Sequence, residues 1–248
     1  MNDAARRRAG RERPVEGTAS RHRNGNVGIA SAPSRPVVVS VDGRSLGSLP
    51  VSNVERVIES AVALAILLAT APAALLLAGA IKLEDSRSPV LFRQERTGLG
   101  GRRFRMFKFR TMVPDAESMK STLAEYNRLD WPDFKAADDP RVTVVGRFAR
   151  RFALDELPNL LNVVLGDMAL VGPRPTSFPV EHYEPWQVTR LGARPGVTGL
   201  WQVSRERDEG FDARVRIDLD YLARRTPWMD LGILLRTVPA VIRRRAAY

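Results

Sequence analysis

From Ala61 to Ile81 every residue is apolar or small except Thr70, and none is charged. At about 1.5 Å per residue such a helix is roughly 30 Å long, enough for the hydrocarbon core of a bilayer. A charge at its centre would cost about 2.5–3.5 kcal/mol on the insertion scale, so the absence of any is informative. The run lies too far along the chain for a signal peptide, and no small-residue cleavage site follows it. A buried core helix is the competing reading. Pro72 removes one helix hydrogen bond and predicts a kink. Arg56 precedes the run and Lys82 and Arg87 follow it. Basic residues at both ends give no inside–outside asymmetry, which suits a helix that enters and leaves on one face.

The rest of the chain alternates between shorter patterns. Pro89–Gln94 reads as a strand, Gly98–Gly101 as a turn and Arg103–Met112 as the returning strand. On that second strand Phe107, Phe109 and Thr111 face one way, and Met106, Lys108 and Arg110 the other. The Gly cluster lacks the Lys-Ser/Thr and following helix of a phosphate-binding P-loop. Pro114–Tyr126 carries a helical pattern, and Leu129–Arg141 reads as a loop in which Asp138 and Asp139, before a proline, set a turn. Val144–Phe152 and Trp228–Arg245 mix apolar residues with arginines, as expected of helices at the headgroup level. A helix packed on the core is the rival for the second. Leu157, Leu160, Leu161, Val164 and Leu165 follow a 3.6-residue period. That predicts a helix opening at Asp155-Glu156, with Pro158 in its first turn and Gly166 as its stop.

These patterns define an α+β chain in three parts. Residues 1–50 form a basic, Ser/Pro/Gly-rich extension expected to be disordered, with a possible short strand at Val37–Val41. Arginines such as Arg6, Arg7 and Arg8 suit contact with anionic lipids or a plain solubilising role. Residues 51–82 hold the expected membrane helix, and 83–248 a compact domain with a small β-hairpin and amphipathic interfacial helices.

Composition narrows the chemistry. The chain has 248 residues, no cysteine and only two histidines. Disulfides, thiolate nucleophiles and His- or Cys-rich metal centres are therefore excluded. Any metal must be a hard ion on oxygen, and Mg²⁺ fits carboxylates plus phosphates. The net charge of +11 calls for anionic partners. A nucleic-acid binder would need aromatics interleaved with its basic stripe, and the apolar run has no place on one.

Asp155 and Glu156 follow Arg150-Arg151 at the expected helix start, where N–H groups and the dipole favour anions. The same residues would also serve as a cap and a first-turn carboxylate, with no reactive role. Lys108 and Arg110, on one side of their strand, read equally well as solvated charge. Further motifs bear on the choice: Phe107-Lys108-Phe109-Arg110-Thr111-Met112, Gly172-Pro173-Arg174-Pro175, and Pro195-Gly196-Val197-Thr198-Gly199-Leu200-Trp201-Gln202-Val203-Ser204.

In order and spacing these segments resemble the bacterial sugar transferase family, the small monotopic phosphoglycosyl transferases, from about Val54 to Arg243. The resemblance implies transfer of a sugar-1-phosphate from a UDP-sugar to undecaprenyl phosphate, releasing UMP. It places the chain at the cytoplasmic face of a bacterial inner membrane, at the start of exopolysaccharide or glycoconjugate synthesis. Asp155 falls on the family's nucleophile, which forms an aspartyl-phosphosugar. Glu156 falls on its partner, as Mg²⁺ ligand or base. Arg150 and Arg174, the latter held between Pro173 and Pro175, fall on diphosphate-binding positions, and Lys108 and Arg110 on the active-site strand. Gln202, Ser204 and Arg205 are candidates for donor binding, although Arg205-Glu206 replaces the usual Gly-Arg. The family's membrane helix is re-entrant, bent at a Ser-Pro pair; here Ala71 stands before Pro72. Anionic lipids and a second copy of the chain are further expected partners. The rival from another class is a catalytically silent membrane scaffold.

Overall fold

The computed structural model describes residues 39–41, 44–46, 52–120, 139–204 and 210–244. The expectations for the early arginines, the later part of Pro114–Tyr126, Asp138 and Arg205 lie outside them. Two short strands, β1 (Val39–Val41) and β2 (Arg44–Leu46), pair antiparallel ahead of the apolar run.

The apolar run is the body of one 32-residue helix, α1 (Asn53–Glu84), long and apolar enough to cross a membrane. Ser52 caps it, its hydroxyl accepting from the Glu55 N–H at 3.0 Å. The chain stays helical through Pro72. Thr70 sends its hydroxyl to the carbonyls of Ile66 and Leu67. It does not reach Leu68, whose carbonyl Pro72 cannot serve. Along one side, Glu59, Ala63, Leu77 and Ile81 are buried against the rest of the chain, while Leu64, Leu68, Leu75 and Leu76 are exposed.

β3 (Leu91–Thr97) and β4 (Arg103–Phe109) form the expected hairpin, in register from Leu91 opposite Phe109 to Thr97 opposite Arg103. Gly100 and Gly101 take left-handed φ values of 62° and 77° in its turn. β4 ends at Phe109, three residues earlier than the pattern predicts. Beyond it, Asp139 grips Arg141 through both carboxylate oxygens, at 2.8 and 2.7 Å, and accepts its backbone N–H at 3.0 Å. Asp139 thus makes a turn, as its proline neighbour suggests. α2 (Val144–Arg151) buries Gly146 and Ala149 and exposes Val144 and Phe148.

The expected helix at Asp155 is divided. Leu154–Glu156 forms one 3₁₀ turn, and α3 (Asn159–Leu165) follows, with Pro158 as its N-cap rather than in its first turn. The break has a local cause: Ala153 sits in the left-handed region at φ 54° and turns the chain out of α2's path. Gly166 ends α3 at φ 85°, as expected. The buried face also differs from the leucine period. Asn159, Leu160, Asn162 and Val163 are buried, whereas Leu161, Val164 and Leu165 are exposed. Asn162 is drawn inward because the backbone of β4 needs partners. Its amide donates to the Arg105 carbonyl at 2.8 Å and accepts the Phe107 N–H at 3.0 Å.

β5 (Ala169–Val171) and β6 (Gly196–Thr198) run parallel. A Cβ on Gly196 would lie 2.1 Å from the Gly172 nitrogen, so only glycine permits this approach. α4 (Leu200–Val203), α5 (Phe211–Arg224) and α6 (Pro227–Arg244) complete the chain. The main core gathers Met106, Val163, Met168, Tyr221 and Ile233, with Ala63 of α1 packed into it. A second cluster joins Leu77 and Ile81 of α1 to Phe109 and Ala149. α6 packs on the core, as the rival reading of the C-terminal stretch expects, and keeps an exposed apolar side. Ile233 is buried, and Trp228, Leu231, Leu235 and Val238 stay exposed.

Candidate active site

Asp155 and Glu156 occupy the tight turn between α2 and α3, one turn ahead of α3 rather than on its first residues. Around them stand cations from four different elements. Lys108 of β4 reaches the Glu156 Oε1 at 3.4 Å. Arg174 holds the same carboxylate as a fork, Nη2 to Oε1 at 2.5 Å and Nη1 to Oε2 at 3.4 Å. Arg150 of α2 donates through Nε to the Thr111 hydroxyl at 2.9 Å, and its charge is felt at Asp155. Arg96 of β3 lies against the loop that carries Arg174, donating to the Pro175 carbonyl at 3.5 Å and to the Gln94 amide oxygen.

The loop Pro173-Arg174-Pro175 is fixed from below. The Gly172 N–H donates to Thr198 at 2.9 Å and the Gly196 N–H to Pro173 at 3.0 Å. Arg190 donates to the Arg174 carbonyl at 2.8 Å while pairing with Asp218 at 2.5 Å. Both members of that pair are almost fully buried, so the loop rests on a rigid support.

Burial and crowding set the charge states. The Asp155 carboxyl is pushed up, first by burial and then by the adjacent Glu156 charge, against the pull of Lys108, Arg150 and Arg174. Burial lowers Lys108, with Glu156 opposing. Arg96 falls to about 10, through burial and the nearby Arg174. Arg174 is raised, chiefly by Glu156. Four cations around two carboxylates leave an excess of positive charge, as a diphosphate requires. The two carboxylates are not equivalent. Lys108 and Arg174 both bond Glu156 and not Asp155.

Of the residues singled out from sequence, Lys108, Arg150, Asp155, Glu156, Pro173, Arg174 and Pro175 come together. Arg110 does not join them. Its N–H continues the pairing to the Val90 carbonyl at 2.9 Å, and its guanidinium lies over the Phe92 ring, on the Lys108 face, and donates to the Pro89 carbonyl at 2.9 Å. Gln202 is buried in a cleft beside Glu156. Ser204 donates to the Trp201 carbonyl at 2.9 Å, closing its own helix. Arg96, Arg190 and Asp218 were not singled out. Register could have found Arg96, since Phe92, Gln94 and Arg96 lie opposite Lys108, Met106 and Phe104 on one face of the hairpin.

The chain matches the bacterial sugar transferase family over residues 51–244, and it belongs to that family. It is 41% identical over 227 residues to UDP-glucose:undecaprenyl-phosphate glucose-1-phosphate transferase of Caulobacter vibrioides, covering 87% of this chain and 80% of that one. It is 39% identical over 201 residues to the exopolysaccharide production protein ExoY of Sinorhizobium fredii, covering 78% and 88%. To undecaprenyl-phosphate galactose phosphotransferase of Salmonella typhimurium it is 45% identical over 172 residues, 67% of this chain but 36% of that one. A streptococcal galactosyl transferase, CpsE, is likewise matched over only 36% of its length. The chain therefore spans little more than a third of these larger relatives.

Proposed function

We propose that this protein transfers a sugar-1-phosphate from a UDP-sugar to undecaprenyl phosphate at the cytoplasmic face of a bacterial inner membrane, initiating exopolysaccharide or glycoconjugate synthesis. The observation that carries the reading is the asymmetry of the carboxylates: Glu156 is held by Lys108 and Arg174, and Asp155 faces the same cations without those bonds. In the first step an Asp155 oxygen bonds the phosphorus attached to the sugar, and the bond to the bridging oxygen breaks, releasing UMP. In the second, a phosphate oxygen of the lipid attacks that phosphorus and displaces the Asp155 carboxylate, giving undecaprenyl-diphosphate-sugar. Two easier displacements replace one difficult one. Arg174, Arg150, Lys108 and Arg96 bind the diphosphate and balance the charge that develops on it.

Among the described residues no three His, Cys, Asp or Glu side chains cluster. The two carboxylates present fit a Mg²⁺ that arrives on the diphosphate, a mode needing only one or two protein carboxylates. Glu156, with Asp155 beside it, would hold the ion. Bound there, it would neutralise phosphate charge. EDTA should then abolish turnover and excess Mg²⁺ restore it; full activity in EDTA would remove the metal from the scheme.

Three contacts support a helix that enters and leaves on one face. Glu55 pairs with Arg225, Glu59 with Arg194, and Glu84 accepts the Val144 N–H. Both ends of α1 are thus tied to one domain, the arrangement that a helix entering and leaving on one face calls for.

The test is UMP release from a panel of UDP-sugars by detergent-solubilised protein with undecaprenyl phosphate and Mg²⁺. Glucose and galactose donors come first and N-acetylated sugars second. Lipid-dependent release from one donor establishes the reaction. Release from none, with folded protein, would leave the scaffold reading in its place.

A further inference from the structure

A cleft of about 160 Å³ opens beside Glu156, between α3, β6, α4 and α6. Its walls include Leu157, Leu160, Val197, Val203, Ala240 and Val241, and Glu156 is the one charged residue among the described lining. The two threonines there spend their hydroxyls on the protein. Thr198 and Thr237 bond each other at 2.8 Å, and Thr237 also donates to the Ile233 carbonyl at 2.8 Å. Gln202 keeps a buried side-chain oxygen without a hydrogen-bond partner.

At about 160 Å³ the cleft is smaller than sites for ligands of drug size, which run to about 300–1,000 Å³. Its described lining also offers a diphosphate no cation. Its lining suits hydrocarbon. One wall is α6, which on its outer side exposes Trp228, Leu231, Leu235 and Val238, the composition of a helix lying at a lipid boundary. A chain passing from the bilayer around α6 would meet apolar side chains up to Glu156, with Asp155 next in sequence.

We propose that this cleft receives the isoprene units next to the phosphate of the polyprenyl acceptor. The acceptor phosphate then comes to rest at the Asp155 adduct, with the Gln202 amide at its side. This inference rests on the transfer reaction proposed above and adds to it a separate place for the acceptor's hydrocarbon. The donor's diphosphate keeps the Arg96, Lys108, Arg150 and Arg174 side.

The half-reactions separate the two ideas. Mixed with UDP-sugar and no lipid, the wild-type protein should release UMP in a burst of one equivalent. No burst would sink the covalent route and leave the cleft to be judged by labelling. Ala240→Trp fills the cleft from α6, and Val203→Phe fills it from α4. Each should keep the burst within about two-fold and lose at least ten-fold in transfer, to undecaprenyl phosphate and to a two-isoprene phosphate alike. Transfer at the wild-type rate and KM would overturn the proposal. So would loss of the burst together with transfer in a variant whose thermal unfolding is unchanged, because the cleft would then belong to the donor. A benzophenone-bearing polyprenyl phosphate provides a check on the unaltered protein. It should label α4 or α6 peptides next to the cleft, and labelling confined to α1 would place the acceptor elsewhere.

Discussion

Asp155→Asn should reduce turnover by on the order of 10³-fold or more, the scale seen when a covalent nucleophile is removed. The amide is nearly isosteric, but it cannot form the acyl phosphate that carries the sugar between donor and lipid. Little else should change, because Lys108 and Arg174 bond Glu156 instead. The folded pKa of Asp155 lies above its ordinary value, mainly through burial. Its contribution to stability is full below the unfolded value and is lost as pH rises through the folded one. At neutral pH the asparagine removes that loss, so the variant should unfold at or above the wild-type temperature. The decisive measurement is label transfer: wild-type protein mixed with radiolabelled donor and no lipid should carry label after denaturation. The asparagine variant should carry none. Substantial turnover in that variant would end the covalent mechanism whatever the family does elsewhere.

Much of this site was legible as sequence because its parts are local. The Asp155-Glu156 pair, the proline-flanked Arg174 and the β3–β4 hairpin each declare themselves within a few residues. The apolar run from Ala61 to Ile81 likewise marks α1 by composition alone. What was not legible depends on long-range partners. A leucine period placed the helix start at Asp155, but the left-handed Ala153 and the cap at Pro158 divide the segment. The inward face of α3 is chosen by Asn162 bonding β4, some 55 residues away in sequence. No periodicity announces such a demand. Arg110 lies on the Lys108 face as alternation predicts, but the Pro89 carbonyl and the Phe92 ring take its guanidinium, and no pattern along the strand announces those partners.

The buried ion pairs were equally silent. Arg190 supports the Arg174 carbonyl only because Asp218, 28 residues later, neutralises it. Each looks like ordinary surface charge when read along the chain. Their burial makes sense only once the site is assembled, since they convert a short loop into a fixed platform for Arg174.

Arg194→Ala should cost about 3–5 kcal/mol of stability, the usual penalty for stranding one member of a buried ion pair. Glu59 lies on α1 and Arg194 just ahead of β6, with side chains 11% and 8% exposed. Glu59 also accepts the Leu170 N–H at 3.3 Å, and Arg194 donates to the Met168 carbonyl at 3.2 Å. The pair therefore rivets α1 to the strand that precedes the Gly172-Pro173-Arg174-Pro175 loop. Truncating Arg194 leaves the Glu59 carboxylate buried without its cation. Replacing both, as Glu59→Gln with Arg194→Met, keeps an acceptor for Leu170 and removes the stranded charge. That double variant should recover most of the loss. Denaturant unfolding in detergent measures all three proteins. A cost below about 1 kcal/mol for Arg194→Ala, the range of an exposed pair, would mean that α1 is held by its apolar stripe alone. A large cost repaired by the double change would mean that this buried contact, beyond the apolar stripe, fixes α1 against the strand that leads into the Arg174 loop.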